Sequence, residues 1–360
     1  MEINKNQLFV LITLFEIGST TLFVLGIDTA KQDAWLAILM ASLIGGCLLW
    51  LYTNIQAYNF NKHWGEILGS VLGKWISKPL VFIYAIYFFY IASLNLYEFG
   101  MSITITILPG TPIQALLTII VFLLIYIVAF LNIEIFSRVG ELLMPFFLFF
   151  LFIVPILIII SGAFHIENLL PFLENGIQPV LNTALLKIVN FPFGEIVVFL
   201  VYWKYVTCKK NIRNTSFLAL GLATLVIVLS SITSIATLGS LGASIVEIPY
   251  FNVVQRINIG DFINRLDSIG ITILFIGGFF KMAIHFCAGL ILLQSLFKIT
   301  EAKWIIILIC IIFLCFTFFY FPNLIFERWI GLKIMVPYIH SIFQIIIPFV
   351  IFLIIKIKSI

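Results

Sequence analysis

Charged residues are scarce in this sequence, and their scarcity excludes an ordinary soluble domain. Only 10% of the 360 residues are charged, while 62% are hydrophobic. Soluble globular domains carry roughly a quarter of charged residues and about half of apolar ones. With a mean hydropathy of +1.20, the chain has too little polar surface to face water. These values indicate an integral membrane protein, and we expect one transmembrane unit over residues 1–360.

Motifs that carry redox, metal or catalytic chemistry are also missing. The five cysteines form no CxxC pair and no ligand-like group with the four histidines, so neither a disulfide framework nor a metal site is expected. The sequence contains no P-loop, GxGxxG, HExxH or Ser/His/Asp order. We therefore expect neither an enzyme nor a bound cofactor. The net charge of +4 is distributed over loops in a way that fits membrane topology better than nucleic-acid binding.

What the sequence has instead is a series of long apolar runs. A helix needs about 20 apolar residues to cross the hydrocarbon core of a bilayer. This criterion predicts an all-α protein with ten transmembrane helices, at residues 8–28, 34–55, 79–104, 113–132, 142–163, 183–203, 215–239, 267–293, 304–321 and 337–356. The first span lacks an Ala-x-Ala-like cleavage site before the next one, so it is not expected to be a signal peptide.

The placement of lysine and arginine predicts the orientation of the bundle. With a cytoplasmic N-terminus, 13 of the 20 basic residues fall on the cytoplasmic side, five fall outside and two lie within spans. Cytoplasmic loops carry such an excess of basic residues. Both termini of this multi-pass membrane protein are therefore expected in the cytoplasm.

Two connecting segments are predicted to be structured. Residues 62–76 place apolar side chains at helical spacing between lysines, a pattern typical of an amphipathic helix at a membrane interface. Residues 240–266 contain Pro249 and Gly260 beside apolar residues. We expect this second segment to form an extracellular loop that caps the bundle.

Two of the spans carry helix-breaking residues near their middle. In the first span, Glu16 is followed by Gly18, Ser19 and Thr20, and small residues of this kind allow a membrane helix to open. In the sixth span, proline and glycine stand together in the run Asn190-Phe-Pro-Phe-Gly-Glu195. Proline removes a backbone donor and clashes with the preceding turn.

The positions of the two breaks match when the ten spans are divided into halves. Each break lies in the first span of its half, which predicts a 5+5 inverted repeat with repeats at about 8–163 and 183–356. Broken helices of such repeats present free N–H and C=O groups at a central ligand site. The alternative for each break alone is a kinked helix without a ligand.

At these residues the sequence resembles a known family. Glu16-Ile-Gly-Ser-Thr20, Phe191-Pro-Phe-Gly-Glu195 and Gly277-Gly-Phe-Phe-Lys281 are similar to segments of the B subunits of spore germinant receptors. These subunits belong to the endospore germination branch of the amino acid–polyamine–organocation superfamily. The resemblance covers essentially the whole chain in size, span layout and motif order.

The resemblance implies a LeuT-like fold and a role in germinant sensing in the inner membrane of a bacterial spore. It implies two partners, a larger A subunit with membrane spans and a C subunit lipoprotein. It also implies a small-molecule germinant, usually an amino acid, bound between spans 1, 3, 6 and 8. One departure concerns an ion substitute: residues 142–163 contain no basic residue, whereas many sodium-independent relatives place a lysine in the fifth span.

Charged residues within spans are functional candidates because they are expensive in lipid. Glu195 either caps the second half of span 6, or it binds an ammonium group or relays a proton. Lys281 either takes the place of a bound cation beside the span 1 break or forms a salt bridge with Glu16 or Glu195. Glu98 is expected in the bundle or in a wet outer vestibule.

Other polar residues of the spans have simpler interpretations. His285 shares the helical face of Lys281 and either packs or relays a proton. Lys187 is expected to extend towards the headgroups. For the ligand itself, Gly18, Ser19, Thr20 and Gly194 are expected to offer backbone or hydroxyl groups. Phe191, Phe193 and Tyr97 are expected to line its pocket.

Three functional interpretations remain open from the sequence. The first is a germinant-sensing receptor subunit that transports little or nothing, and the resemblance favours it. The second is an amino acid permease driven by protons. The third is a non-sensing scaffold, or a water or ion conduit, within the same complex.

Overall fold

The computed structural model describes residues 2–18, 20–131, 133–260, 263–264, 266–299 and 303–358. Helices dominate this part of the chain, with one two-stranded antiparallel sheet. The α-helices are α1 Lys5–Ile17, α2 Ile27–Ala30, α3 Ala34–Tyr58, α4 Trp64–Thr106, α5 Ile113–Ile125, α6 Ile133–Ile160, α7 Gln178–Thr183, α8 Phe199–Tyr202, α9 Ile212–Ile245, α10 Pro249–Gln255, α11 Asp267–Phe297, α12 Lys303–Tyr320, α13 Leu324–Ile330 and α14 Ile347–Lys358.

Tighter and wider helical turns connect several of these helices. Turns of the 3₁₀ type occur at Thr20–Leu22, Lys31–Asp33, Ile166–Leu169, Phe193–Val198, Trp203–Tyr205 and Lys209–Asn211. Wider π-helical turns occur at Tyr126–Phe130, Ala184–Ile188 and Gly331–Ile346. The strands β1 Asn258–Ile259 and β2 Ile263–Asn264 pair to form the sheet. π-helical turns are frequent at functional sites, and two of these three lie in spans that border the cavity described below.

The expected all-α membrane architecture is confirmed. Nine helical stretches among the described residues are long and apolar enough to cross a membrane. The first predicted span is interrupted, because α1 ends at Ile17 after 13 residues and is too short to cross hydrocarbon alone. The nine stretches and this interrupted span correspond to the ten predicted spans.

Two helices begin well before their predicted starts. The fifth-span helix begins at Ile133, so it includes Arg138, which was assigned to a loop. Arg138 is exposed and pairs with Glu134 at 2.8 Å on the same helix. The tenth span begins at Leu324 rather than at residue 337. Hydropathy detects only the lipid-facing part of such a helix, and polar residues that face protein shorten the apparent span.

The two connecting segments predicted to be structured are both partly helical. In residues 62–76, Trp64, Ile67, Leu68 and Val71 are buried, whereas Trp75 is 94% exposed. The helix is interrupted between these two groups at Gly73 (φ 77°). In residues 240–266, the end of α9 is followed by α10 and the β1–β2 hairpin. Their positions relative to a membrane remain predictions.

One helix forms the centre of the bundle. In its most apolar window, α11 buries 89% of its residues, compared with 22% for α12. Helix α11 packs along α4 and against α1, and α1 packs against α6 and α9. The break in span 1 therefore lies against the most enclosed helix of the protein.

Candidate ligand site at the two helix breaks

The break in span 1 is formed at Gly18. This glycine has φ +41°, and its N–H donates to the carbonyl of Leu14 at 2.9 Å. A side chain at this φ would be strained. The chain then turns into the 3₁₀ segment Thr20–Leu22. Ser19, a predicted ligand residue, lies outside the described residues.

Helix α11 approaches this break through a second glycine. A Cβ atom at Gly277 would lie 2.1 Å from the carbonyl oxygen of Gly18. No side chain therefore fits at Gly277 without moving backbone. The Gly277-Gly-Phe-Phe-Lys281 motif thus has a local cause, because the glycine admits the broken helix and the lysine follows one turn later.

The break in span 6 is centred on Pro192 and Gly194. The π-helical turn Ala184–Ile188 ends four residues before the proline, and the 3₁₀ segment Phe193–Val198 begins after it. A Cβ atom at Gly194 would lie 2.2 Å from Oε1 of Gln344. The hydroxyl of Tyr52 donates to the carbonyl of Gln344 at 2.6 Å. Span 10 therefore packs directly onto this break.

A buried ion pair connects α11 with the break in span 6. Lys281 Nζ lies 2.8 Å from Glu195 Oε2, and the two side chains are 0% and 1% exposed. The same ammonium donates to the hydroxyl of Thr20 at 3.4 Å. It also lies 4.5 Å from the ring centre of Phe191. Lys281 thus contacts residues that follow both breaks, and the predicted salt bridge with Glu195 is present.

A second carboxylate shares this buried region. Glu16 is fully buried, and neither of its carboxylate oxygens has a hydrogen-bond partner among the described residues. Its main electrostatic neighbours are Lys281 and Glu195. The region therefore formally holds two carboxylates and one ammonium. An isolated buried charge is very costly, so the cluster favours a further proton or cation.

His285 lies one turn beyond Lys281 on the same helix. Its Nδ1 is 3.1 Å from the carbonyl oxygen of Lys281, and its ring is 4.9 Å from that of Phe15. Its Nε2 has no hydrogen-bond partner in the described part of the chain. Both earlier interpretations, packing and proton relay, remain compatible with this geometry.

A cavity of about 360 Å³ extends from Glu195 of this pair towards the ends of several spans, and Lys281 lies outside its lining. This volume lies within the usual range for small-molecule sites. Glu195 and Phe191 line its inner end, and Asn95 and His340 also line it. At its outer end it is lined by charged residues of five helical elements and of the segment after α9: Asp28, Lys187, Glu98, Glu247, Glu327, Arg328 and Lys333.

Arg328 joins several elements at the outer end of this cavity. Its Nε lies 3.4 Å from Glu98 Oε1, and its Nη1 is paired with the carboxylate of Glu247. Its guanidinium also lies 5.5 Å from the ring centre of Phe23. Glu98 was expected either in the bundle or in a wet vestibule, and it lies in this partly exposed outer cluster.

Lys187 forms a separate pair on the rim of the cavity. Its Nζ lies 2.6 Å from Asp28 Oδ2 and 2.7 Å from the hydroxyl of Thr29. The lysine reaches a protein carboxylate close to the break in span 1. The charge of Lys187 is therefore neutralised within the protein, and its side chain does not need to extend towards the lipid headgroups.

Two of the predicted pocket residues do not line the cavity. Tyr97 packs against Phe321, with ring centres 5.1 Å apart. Phe193 is fully buried and packs against Gly45. A Cβ atom built at Gly45 would lie 2.6 Å from the Cβ atom of Phe193. Phe191 and Glu195 are therefore the predicted residues of span 6 that reach the cavity.

Sequence reasoning missed the contribution of span 10. Arg328 and Glu327 were assigned to a loop or left unassigned, although acidic and basic residues beside an apolar run could have indicated a helix that faces protein. The hydroxyl of Tyr87 lies 2.7 Å from His340 Nδ1 and accepts from Gln344 Nε2 at 2.9 Å. This buried network joins α4 to the break in span 6.

Comparison with known proteins gives a consistent result. The family model described as spore germination protein matches residues 2–325. The chain is 31% identical over 352 residues to spore germination protein KB of Bacillus subtilis, which covers 98% of this chain and 94% of the relative. It is 27% identical over 266 residues to spore germination protein A2 of the same organism, covering 70% of this chain and 68% of the relative.

A more distant relative and a solved structure extend the comparison. Spore germination protein XB of Bacillus anthracis is 23% identical over 323 residues, covering 85% of this chain and 86% of the relative. The crystal structure of a histidine-to-alanine mutant of the Eremococcus coleocola manganese transporter superposes with a TM-score of 0.57 at 12% identity. It covers 94% of this chain and 73% of the transporter. A similarity at this level of identity is evidence for the fold alone. The expected LeuT-like architecture is confirmed.

Proposed function

This chain belongs to the family of spore germination proteins, and on that premise we propose that it is the ligand-sensing membrane subunit of a germinant receptor. The proposed ligand is a small amino acid, bound where spans 1 and 6 are interrupted. The observation that carries the proposal is the buried Lys281–Glu195 pair at 2.8 Å, which joins the central helix to both breaks beside the cavity.

The chemistry of the cavity favours a zwitterion. Of the three buried charges at the helix breaks, Glu195 lines the inner end of the cavity. An ammonium group bound there would balance the charge that the carboxylates Glu16 and Glu195 have in excess over Lys281. Gly18, Ser19 and Thr20 would offer backbone or hydroxyl donors to a carboxylate, as broken helices do in related folds. Ile188, Phe191 and Val336 line the cavity and would accommodate a small apolar side chain.

The same pair favours a sensor over a pump. A lysine ammonium held between Glu195 and Thr20 occupies a position where a transported cation could bind, and it needs no gradient to stay there. A ligand that competes for Glu195 would shift Lys281 and with it the contact between α11 and span 6. Binding would then be coupled to a change of conformation because the two states bind the ligand with different affinity.

The proposed setting is a receptor complex in the inner membrane of a bacterial spore. Its other members would be a larger A subunit with membrane spans and a C subunit lipoprotein. Both termini of this chain would face the cytoplasm, in keeping with the excess of basic residues on that side. Affinity isolation of the tagged chain from sporulating cells tests this directly: recovery of the chain alone, in good yield and mild detergent, would count against the complex.

Variants of the ion pair test the sensing role. Spores that carry Lys281→Met are expected to lose the germination response to amino acids, measured by release of dipicolinic acid. The double variant Glu195→Gln/Lys281→Met replaces the pair by neutral residues and should lose the response while the protein remains in the membrane. Lys78→Met, at an exposed lysine, is the matched control. A wild-type response in the double variant would refute the proposal.

A second candidate function is a proton-coupled amino acid permease. The likeness of the fold to a transporter and the unpartnered carboxyl group of Glu16 favour it. Uptake of labelled amino acid into proteoliposomes, with and without a proton gradient, separates the two functions. Gradient-dependent accumulation that Glu16→Gln abolishes would favour transport, whereas binding without accumulation would favour sensing.

A further inference from the structure

The outer end of the cavity holds carboxylates that the central ion pair does not explain. Glu98, Glu247 and Glu327 all line this end, together with the cations Arg328 and Lys333. Arg328 is paired with Glu98 and Glu247. The Asp28–Lys187 pair on the rim is already neutral. The remaining three carboxylates therefore outnumber the two cations by one.

Glu327 is the member of the cluster without a partner. It is 3% exposed, and its Oε2 has no hydrogen bond among the described residues. Its side chain nevertheless lines the cavity. A buried carboxylate oxygen without a donor is rare in folded proteins and leaves free acceptor capacity at this point.

We propose that Glu327 and Glu98 form an outer binding site for the ammonium group of a small molecule, separate from the helix breaks. Ammonium binding would give Glu327 its missing donor and would compete with Arg328 for Glu98, whose contact at 3.4 Å is long for a charged pair. The guanidinium N–H groups released from Glu98 then donate to the carboxylate of the same molecule. The site therefore selects a compound that carries both groups.

An organic ammonium fits this cluster better than a metal ion. No group of three histidine, cysteine, aspartate or glutamate side chains is arranged to hold a metal within the part of the chain that the structure describes. The guanidinium of Arg328 stands among the carboxylates and would repel a divalent cation about twice as strongly as a monovalent ammonium group at the same distance. An ammonium group needs only two acceptors and tolerates wider spacing.

The position of the cluster gives it a role in entry. Arg328 lies on span 10 and contacts Glu98 on α4, Glu247 after α9 and the ring of Phe23 beyond the break in span 1. A ligand that moves towards Glu195 passes these residues because they line the outer end of the same cavity. The outer site rests on the proposed function only in identifying its ligand as an amino acid.

Charge-selective labelling tests the outer site without knowledge of the germinant. Ser244 lines the cavity close to Glu247, and a Ser244→Cys variant places a thiol there. The exposed cysteines Cys47, Cys208 and Cys315 are replaced by serine in the purified full-length chain. Reaction rates are compared for a cationic and an anionic methanethiosulfonate reagent, with the chain lacking Ser244→Cys as background.

The cationic reagent is expected to react faster, and n-propylammonium chloride should slow it more than sodium propionate at equal ionic strength. Glu327→Gln and Glu98→Gln should each lower the ratio of the two rates by about fivefold, because each removes a unit charge in a partly screened mouth. Glu134→Gln, which removes a charge from an exposed pair on α6, should leave the ratio unchanged.

Two results would overturn the outer site. One is a rate ratio that Glu327→Gln leaves unchanged, and the other is equal slowing by propylammonium and by sodium salts, which would indicate screening alone. A failure of the proposed function can be distinguished from a failure of the outer site. If wild-type spores respond to no amino acid while the charge selectivity at the mouth is intact, the outer site stands and the sensing role does not.

Discussion

The two charged clusters of the cavity differ most in their access to water. At the helix breaks, Lys281 and Glu195 are 0% and 1% exposed, whereas Lys187 and Asp28 at the rim are 38% and 59% exposed. The atom distances are similar, 2.8 and 2.6 Å. Distance therefore does not distinguish the pairs, and the loss of solvation does.

This contrast supports two different roles for the two pairs. The inner pair is not exposed to solvent, so a change there must be compensated by a ligand, a proton or a movement of helices. The rim pair can exchange partners because water screens its charges. An enclosed pair suits a switch, and an accessible pair suits the first contact with a ligand.

The largest expected effect comes from breaking the inner pair. Glu195→Gln or Lys281→Met alone should lower the free energy of unfolding by about 3–5 kcal/mol, since each leaves a buried charge without its partner. The double variant should recover most of this loss because it leaves neither charge of the pair. Unfolding of the purified chain in detergent measures all three, and single variants as stable as the double variant would contradict the contrast.

A glycine substitution tests the contact between α11 and the break in span 1. Gly277→Ala should cost about 3 kcal/mol, the upper end for overpacking, because the new Cβ would lie 2.1 Å from a backbone oxygen. Gly221→Ala on α9 is the matched control, with no atom within 4 Å of its Cβ. It should be neutral or slightly stabilising. Equal stability of the two variants would show that α11 does not press on the break.

A buried histidine outside the membrane-spanning helices extends the comparison to pH. His63 caps α4, and its Nδ1 accepts from the N–H of Gly65 at 3.1 Å. Burial lowers the pKa of His63 to about 4, an effect that the nearby Glu66 opposes and Lys204 reinforces. The unfolded chain, with an ordinary pKa of 6.5, therefore binds more protons between these values.

The free energy of unfolding should accordingly fall as the pH drops from 6.5 to 4, and the full contribution of His63 should be present above pH 6.5. The loss should be on the order of 2 kcal/mol. His63→Asn keeps a side-chain cap but removes the titration, so its stability should vary less over this range. If the free energy of unfolding of His63→Asn varied with pH as steeply as that of the wild-type chain, the pH dependence would arise from other groups.

The sequence predicted the breaks and the inner cluster because these features are exceptional in lipid. Gly18, Pro192 and Lys281 stand out in apolar runs, where an unpaired backbone group or a charge is expensive. The salt bridge from Lys281 to Glu195 was one of the alternatives that the residues left open, beside a salt bridge with Glu16 and a role in place of a bound cation. Which of the two carboxylates pairs with Lys281 depends on how α11 packs against the breaks, and the sequence alone does not determine this packing.

The outer cluster and the pocket walls could not be predicted for physical reasons. Arg328 lies in a helix that hydropathy placed in a loop, since polar residues that face protein resemble loop residues. Tyr97 and Phe193 were expected in the pocket, but side-chain direction depends on how each helix is rotated by its neighbours. His340 and Gln344 lie in the π-helical stretch Gly331–Ile346, where i→i+5 bonding shifts the helical faces from a 3.6-residue period.

The smallest expected effect belongs to the rim. Asp28→Asn should change the free energy of unfolding by less than about 1 kcal/mol, and less again in high salt, because both side chains of its pair are exposed to water. Lys187 keeps the hydroxyl of Thr29 at 2.7 Å as a partner, so its ammonium is not left without an acceptor. Glu195→Gln should be measured in the same detergent. Both substitutions replace a lysine-paired carboxylate by the matching amide, so the two variants differ mainly in the solvent exposure of the pair. If the two variants lose similar stability, solvent access is not what distinguishes the inner pair, and the case for a switch at the helix breaks loses its physical basis.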